Sequence, residues 1–314
     1  MTKYILKRLG MAALTLLVIL FILFLLLEFM PGSPFNDEKL SPDQIANLNA
    51  LYGLDKSPVI RFLIFVKNVV LHQDFGISFV IKKNAAISDM ISSRIGITIK
   101  IGLQAILIGT VTGIVLGVIA GIKRNTIFDT LTTIIAVLGV SIPSYVFALG
   151  LSYYFGYKMR LFPITFDIDD TVRSMVLPSI ALSMFVIAQT ARFMRMELID
   201  IFKSDYIQLA ESKGLSNLKV IIRHALRNAM IPVITVLGPL LVGLMTGSLV
   251  VEKIFGIPGI GSLLIQAIQV NDFNVVIAIA FIYSFLYIFV NLLVDLLYGI
   301  IDPRIRVQGG GTNA

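Results

Sequence analysis

The run Ser204-Asp205-Tyr206-Ile207-Gln208-Leu209-Ala210-Glu211-Ser212-Lys213-Gly214-Leu215-Ser216 forms the centre of a polar island, residues 192–232, set between long apolar stretches. Phe202, Tyr206, Leu209 and Ala210 fall at i, i+4, i+7 and i+8 and predict one helix face. Leu218, Ile221, Ile222 and Ala225 repeat at i, i+3, i+4 and i+7 and predict a second. Gly214 between them suits a left-handed helix stop, and Ser216 suits the N-cap of the next helix. Lys219, Arg223 and Arg227, at i, i+4 and i+8, line three cations along one side of that second helix. The island therefore reads as a short helix, a turn and a second helix, with apolar and basic faces both on offer.

Outside the island the chain is far too apolar for a soluble domain. Of 314 residues, 57% are hydrophobic and 14% charged, so the membrane is the solvent. Cysteine is absent, which rules out a disulfide framework and thiolate metal chemistry. The net charge of +7 is scattered between loops, so it forms no nucleic-acid stripe and bears on orientation instead.

Six apolar stretches are expected to cross the bilayer. The first, residues 9–30, follows Lys3, Lys7 and Arg8, is long enough to span and lacks a signal-peptidase site, so it reads as an uncleaved helix ended by Pro31, Gly32 and Pro34. Spans at 95–122, 130–156, 175–190, 230–251 and 275–298 complete the set. Gly109, Gly113, Gly117 and Gly121 make a small face on the second span, suited to close helix packing. Pro143 should kink the third. Pro178, Ser179, Ser183, Gln189 and Thr190 make the fourth unusually polar and a candidate pathway lining. Between the first two spans, Ser41-Pro42-Asp43 starts a helix, and residues 59–71 are too short and too charged to cross. With Val59, Phe62, Leu63, Val66 and Val70 on one stripe, they predict an amphipathic helix in a small external subdomain.

An N-terminus in the cytoplasm and six spans put the C-terminus inside as well. Fourteen of the 26 Lys and Arg residues then face the cytoplasm, and eight of the others belong to the long segment from Lys39 to Lys100, which counts little for orientation. The polar island falls on the cytoplasmic side. No Gly is followed by Lys, so the chain has no phosphate-binding loop of its own. The only histidines are His72 and His224, and no Gly-x-Ser-x-Gly elbow occurs, which leaves an intramembrane enzyme without nucleophile or metal ligands. An ion-coupled secondary transporter would want an internal repeat or ionisable groups at the midplane; Glu28, Lys100 and Asp295 all sit towards span ends.

Ala210, Gly214 and the His224-Ala-Leu-Arg-Asn228 run ending at Pro232 resemble the loop by which permease subunits of bacterial ABC importers dock on their ATPase, in the form found in the oligopeptide and dipeptide branch. Gln208 and Leu209 stand where the wider superfamily favours Glu and Ala. Residues 47–55, 73–78, 252–261 and 291–306 resemble the same branch, with Asn274 in place of a common proline. The resemblance implies an all-α integral membrane protein of the type I importer permease fold, divided as residues 1–30 (tail and first helix), 31–94 (helical extracytoplasmic subdomain), 95–302 (transport domain with a coupling loop at about 192–229) and 303–314 (cytoplasmic tail). It also implies a transport subunit in the bacterial cytoplasmic membrane, without catalytic residues or cofactor of its own. ATP and Mg would sit on two partner ATPases. The remaining partners would be a homologous second permease, an external binding protein and the peptide substrate, with no nucleic acid. Tyr206, Ala210, Glu211, Ser212, Lys213, Gly214 and Leu215 are the expected coupling residues; the resemblance at residues 47–55 implies oligopeptides as substrate, with dipeptides, nickel chelates and glutathione as the alternatives on the same branch.

Overall fold

The structure is a computed structural model that describes residues 2–29, 35, 41–247 and 249–301. Regular structure among them is helical apart from an isolated antiparallel bridge between Ile77 and Ala86. The helices are α1 (Thr2–Glu28), α2 (Pro42–Leu51), α3 (Pro58–His72), α4 (Ile87–Ile122), α5 (Ile127–Ser141), α6 (Ser144–Leu151), α7 (Thr171–Ile201), α8 (Asp205–Ser212), α9 (Asn217–Lys219), α10 (Arg227–Gly247), α11 (Leu249–Ile254), α12 (Ile260–Gln269) and α13 (Phe273–Ile301). Seven-residue π-helical segments continue α6 (Ser152–Lys158) and join α9 to α10 (Val220–Leu226). Among the described residues four helices are long and apolar enough to cross a bilayer: Arg8–Leu27, Ile87–Ile122, Thr171–Ile201 and Phe273–Leu293. A fifth results if α5 and α6 count as one broken span, so the expected six are not reached among these residues. The expected fifth span, at 230–251, is the one missing from that set and falls on α10 and α11. The stop at Pro31–Pro34 and the terminal signature from Asp302 onward lie outside the described residues.

The chain divides into two compact units. The first holds residues 1–97 and 258–289. Here α2 begins as its sequence requires: the Ser41 hydroxyl accepts from the Gln44 amide, the Gln44 side chain accepts from the Ser41 amide, and Pro42 occupies the first turn. Helix α3 forms where expected, but its packed face is turned from the predicted stripe. Phe62 and Phe65 meet Phe21 and Phe24 of α1 at ring-centroid distances of 5.4 to 5.8 Å, while Val59, Leu63 and Val70 stay exposed. With α3 apolar almost all round, aromatic edge-to-face contacts with α1, and not the width of the apolar stripe, select the face. Asp272 closes the unit. Its fully buried carboxylate accepts from the Ser78 hydroxyl and from the amides of Phe79, Val80 and Ile81, fixing the hairpin around residues 77–86.

In the second unit, residues 98–257 and 290–314, α7 is the hub, with α4, α5, α6, α10 and α11 against it. The predicted small face on α4 meets α7 directly. A Cβ added at Gly113 would lie 2.6 Å from Thr190 Cβ, at Gly117 2.6 Å from the Ala191 carbonyl oxygen, and at Gly121 2.9 Å from Leu198 Cβ. No side chain larger than hydrogen fits at these positions. The same contact corrects the expectation for the fourth span: Ser179, Ser183 and Thr190 are buried against protein instead of lining an open pathway. The Ser179 hydroxyl donates to Gln104 Oε1 and that of Ser183 to the Ile180 carbonyl. The third expected span is also more than kinked. At Ile142-Pro143 the axis turns by 104°: Pro143 lacks the donor that would carry α5 on into α6 and disfavours helical backbone at the residue before it, and Ile142 and Pro143 both leave the helical conformation.

Substituting Gly117 with Leu should force α4 and α7 apart and lower the thermal stability of the detergent-purified protein by several degrees, overpacking being worth about 1–3 kcal/mol or more. Gly150→Ala, at a site with nothing within 4 Å of the added carbon, should leave it unchanged. Size-exclusion profiles after heating compare the two.

Candidate functional site

The polar island folds as a helix, a tight turn and a second helix. Helix α8 ends at Ser212 with Lys213 as its C-cap, and Gly214 takes φ of +77°, the left-handed conformation in which a side chain is strained. The Gly214 amide then donates to the Glu211 carbonyl and the Leu215 amide to that of Ala210, which satisfies two carbonyls of the last turn. The apolar contact that accompanies such a stop is present too, since Leu215 packs against the cluster holding Ala210. Ser216 sits at the N-cap with extended backbone but makes no side-chain cap. The same stop ends α11, where Gly256 has φ of +61° and the Ile257 amide donates to the Glu252 carbonyl. The glycine-proline stretch in the C-terminal third is thus built as a helix end.

Which side chains face inward differs from the α-helical expectation. On α8 the buried pair is Ile207 and Ala210, and Tyr206 and Leu209 are 42% and 56% exposed. On the second helix, Val220, Ala225, Ala229 and Val233 are buried, while Leu218 and Ile222 stay exposed. The spacing of five from Val220 to Ala225 is that of a π-helix, whose i→i+5 bonds widen the turn, and this is why a count at 3.6 residues per turn selects the wrong set. Glu211, Ser212, Lys213 and Gly214 are all exposed. The expected coupling residues therefore separate into an inward pair, Ala210 and Leu215, and an outward set, Tyr206 and residues 211–214. Leu209, outside the expected set, joins the outward one.

Three attachments hold this surface. Ile207, Ala210, Val220, Ala225, Ala229 and Val233 form one buried cluster with Met194 and Leu198 of α7. The Tyr206 hydroxyl accepts from Asn228 Nδ2 at 3.2 Å, tying α8 to α10. At the foot of the island Arg195 grips Asp129 of α5 with two guanidinium donors, Nε and Nη2, the second at 2.9 Å. Asp129 Oδ2 also accepts from the Asn125 amide, so both oxygens of the buried carboxylate are engaged. Sequence reasoning singles out neither Asp129 nor Asp272, and it names Asn228 only as part of the His224–Asn228 run, with no partner assigned. An Asp in the first turn of an apolar helix, 66 residues from its Arg, carries no local signal; burial and the partner appear only on folding. A further buried pair, Thr98 Oγ1 donating to Glu252 Oε1 at 2.7 Å, attaches α11 to α4.

Comparison with known proteins agrees along the length of the chain. Residues 113–307 match the model of the binding-protein-dependent transport system inner membrane component, and residues 1–102 match that of the N-terminal region of such components. A dipeptide transport system permease protein of Lactococcus lactis is 40% identical over 98% of this chain and 100% of its own length. Its counterpart in Bacillus subtilis is 39% identical over 98% and 99%. An oligopeptide transport system permease protein of Haemophilus influenzae is 37% identical over 98% and 100%. Among solved structures, the crystal structure of an amino acid ABC transporter with histidines superposes with a TM-score of 0.53 at 18% identity, covering 67% of this chain and 93% of that one; the likeness is one of fold.

Arg195→Met leaves a buried carboxylate without its cation, and should lower the melting midpoint of the purified protein by roughly 5 °C. Adding Asp129→Leu should recover part of that loss. A double variant no better than the single one would show that the pair does not hold the foot of the island.

Proposed function

The chain belongs to the binding-protein-dependent transport system inner membrane components, and we propose that it is the permease subunit of an ATP-driven importer carrying oligopeptides across the bacterial cytoplasmic membrane. The observation that carries the reading is the polar island: α8 presents Tyr206, Leu209 and residues 211–214 outward from a frame fixed by Ile207 and Ala210. A short helix with exposed apolar and charged groups on a rigid base suits a groove on another protein. That partner would be one of two cytoplasmic ATPases, which bind ATP and Mg; a homologous permease would complete the pathway, and an external binding protein would deliver peptide. On this reading the N- and C-termini are cytoplasmic and α10 supplies a sixth span. The segment with α2 and α3 lies outside the cell, and residues 95–302 form the transport domain.

Mechanistically, closure of the ATPases pushes on α8 as a body. The push passes through Ile207 and Ala210 into Met194 and Leu198 of α7, because these side chains share one packed cluster. Packed interfaces of this kind switch between discrete arrangements instead of bending continuously, which suits alternation between inward and outward openings. Dipeptides are the second reading of the substrate, favoured by the dipeptide permeases at 40% and 39% identity.

Two experiments test the proposal. Affinity purification from the native membrane should bring down a second permease, one or two ATPases and a binding protein whose bound ligand names the substrate. Recovery of the chain alone, moving solute down an ion gradient in liposomes, would make it a secondary transporter. In the complete transporter Gly214→Val should abolish substrate-stimulated ATP hydrolysis while membrane insertion survives, since the added Cβ meets nothing within 4 Å and strain falls on the turn alone. Normal stimulation in that variant would refute the coupling role.

A further inference from the structure

Along the flank of α5 and α7 runs a groove of about 270 Å³. Its α5 wall includes Thr132, Ala136, Val140 and Ser141, and its α7 wall Ala191, Arg192, Arg195 and Met196. The two helices are antiparallel here, as the Asp129–Arg195 pair at one end and the approach of Gly139 to Ala188 and Met184 at the other establish. From Thr132 to Ser141 the α5 wall is about 13.5 Å long at 1.5 Å per residue. That matches half of a hydrocarbon core roughly 30 Å thick, the depth of one leaflet.

The two arginines of the groove differ. Arg195 is held by Asp129, whereas Arg192, one turn earlier, is exposed and makes no hydrogen bond or ion pair among the described residues. No acidic side chain lines the groove. A largely apolar groove whose α5 wall is one leaflet deep, with the unneutralised Arg192 guanidinium in its α7 wall one turn from the Asp129–Arg195 end, calls for a ligand that is apolar over that length and anionic towards that end. Arginine is suited to the second part because its planar fork takes phosphate oxygens bidentately.

We propose that this groove binds one anionic phospholipid, with an acyl chain between α5 and α7 and its phosphate on Arg192. The leaflet is the one adjoining the polar island, cytoplasmic on the orientation proposed above, where anionic lipids attract basic residues near the membrane. Lipid occupancy would fill the space between α5 and the hub helix and brace the Asp129–Arg195 attachment at the foot of the coupling surface.

The test uses the full chain reconstituted in bilayers of equimolar phosphatidylglycerol and phosphatidylcholine, then extracted gently for native mass spectrometry. Wild type should retain one phosphatidylglycerol in preference to phosphatidylcholine. Arg192→Gln should cut that preference about fivefold, the effect of one cation at an anionic surface, and Arg192→Lys should keep most of it. Val140→Trp, which fills the groove and leaves the arginine in place, should expel the lipid; Lys219→Gln, on the exposed island, should not. Equal retention of both lipids, or unchanged retention in Arg192→Gln and Val140→Trp, would overturn the proposal. So would a photo-crosslinker at Val140 that captures a protein chain and no lipid. Because lipid is the readout, a chain that keeps phosphatidylglycerol yet recruits no ATPase would refute the transport reading and leave the lipid site standing.

Discussion

Helix α4 reaches α7 only because Gly113, Gly117 and Gly121 carry no side chain where Thr190, Met194 and Leu198 need the space. In lipid, helices gain nothing by hiding apolar surface from one another, so association depends on contact close enough for dispersion to add up. A glycine every fourth residue supplies that contact along three turns. Helix α7 accordingly buries most of its apolar length inside the protein, whereas α1 buries little, and the other helices of α7's unit arrange themselves around it.

The same side chains serve two contacts. Met194 and Leu198 fill the space opposite Gly117 and Gly121, and they are also members of the cluster that holds Ile207, Ala210, Val220 and Ala225 of the polar island. The island is therefore bolted to the helix that the glycine face grips, with the Asp129–Arg195 pair beside it. A displacement of α8 cannot be absorbed in a soft loop, because the stop at Gly214 is hydrogen-bonded on both carbonyls and its Leu215 is packed. This is the physical content of coupling in the proposed function: rigid attachment on the inner face, and exposed Tyr206, Leu209 and Lys213 on the outer one.

Features set by short-range chemistry were legible in the sequence. The left-handed stop at Gly214, the capped start at Ser41 and the small face on α4 each follow from one residue type at a fixed spacing, and the structure has all three. Features that depend on which of several apolar residues finds a partner were not. The packed face of α3 is chosen by Phe21 and Phe24 of α1, and Val220 pairs with Ala225 because the helix is wound as a π-helix there. The bend at Pro143 was legible as to place, yet its 104° exceeds what one missing hydrogen bond requires. Of the site, the outward residues 211–214 and Tyr206 are legible from the family resemblance; that Asp129 and Asn228 hold it depends on partners far along the chain.

The chain contains no cysteine, so a single introduced thiol reports on one position alone. The most direct measurement places Cys at Leu209 and follows its maleimide labelling in the chain alone and in the assembled transporter. On this account Leu209→Cys, on the outward face of α8, reacts readily in the free chain and is protected once the ATPases bind, while Ile168→Cys, exposed in the loop before α7 and outside the membrane spans, is labelled equally in both. Equal labelling of Leu209→Cys in both states would mean that α8 is not the docking surface.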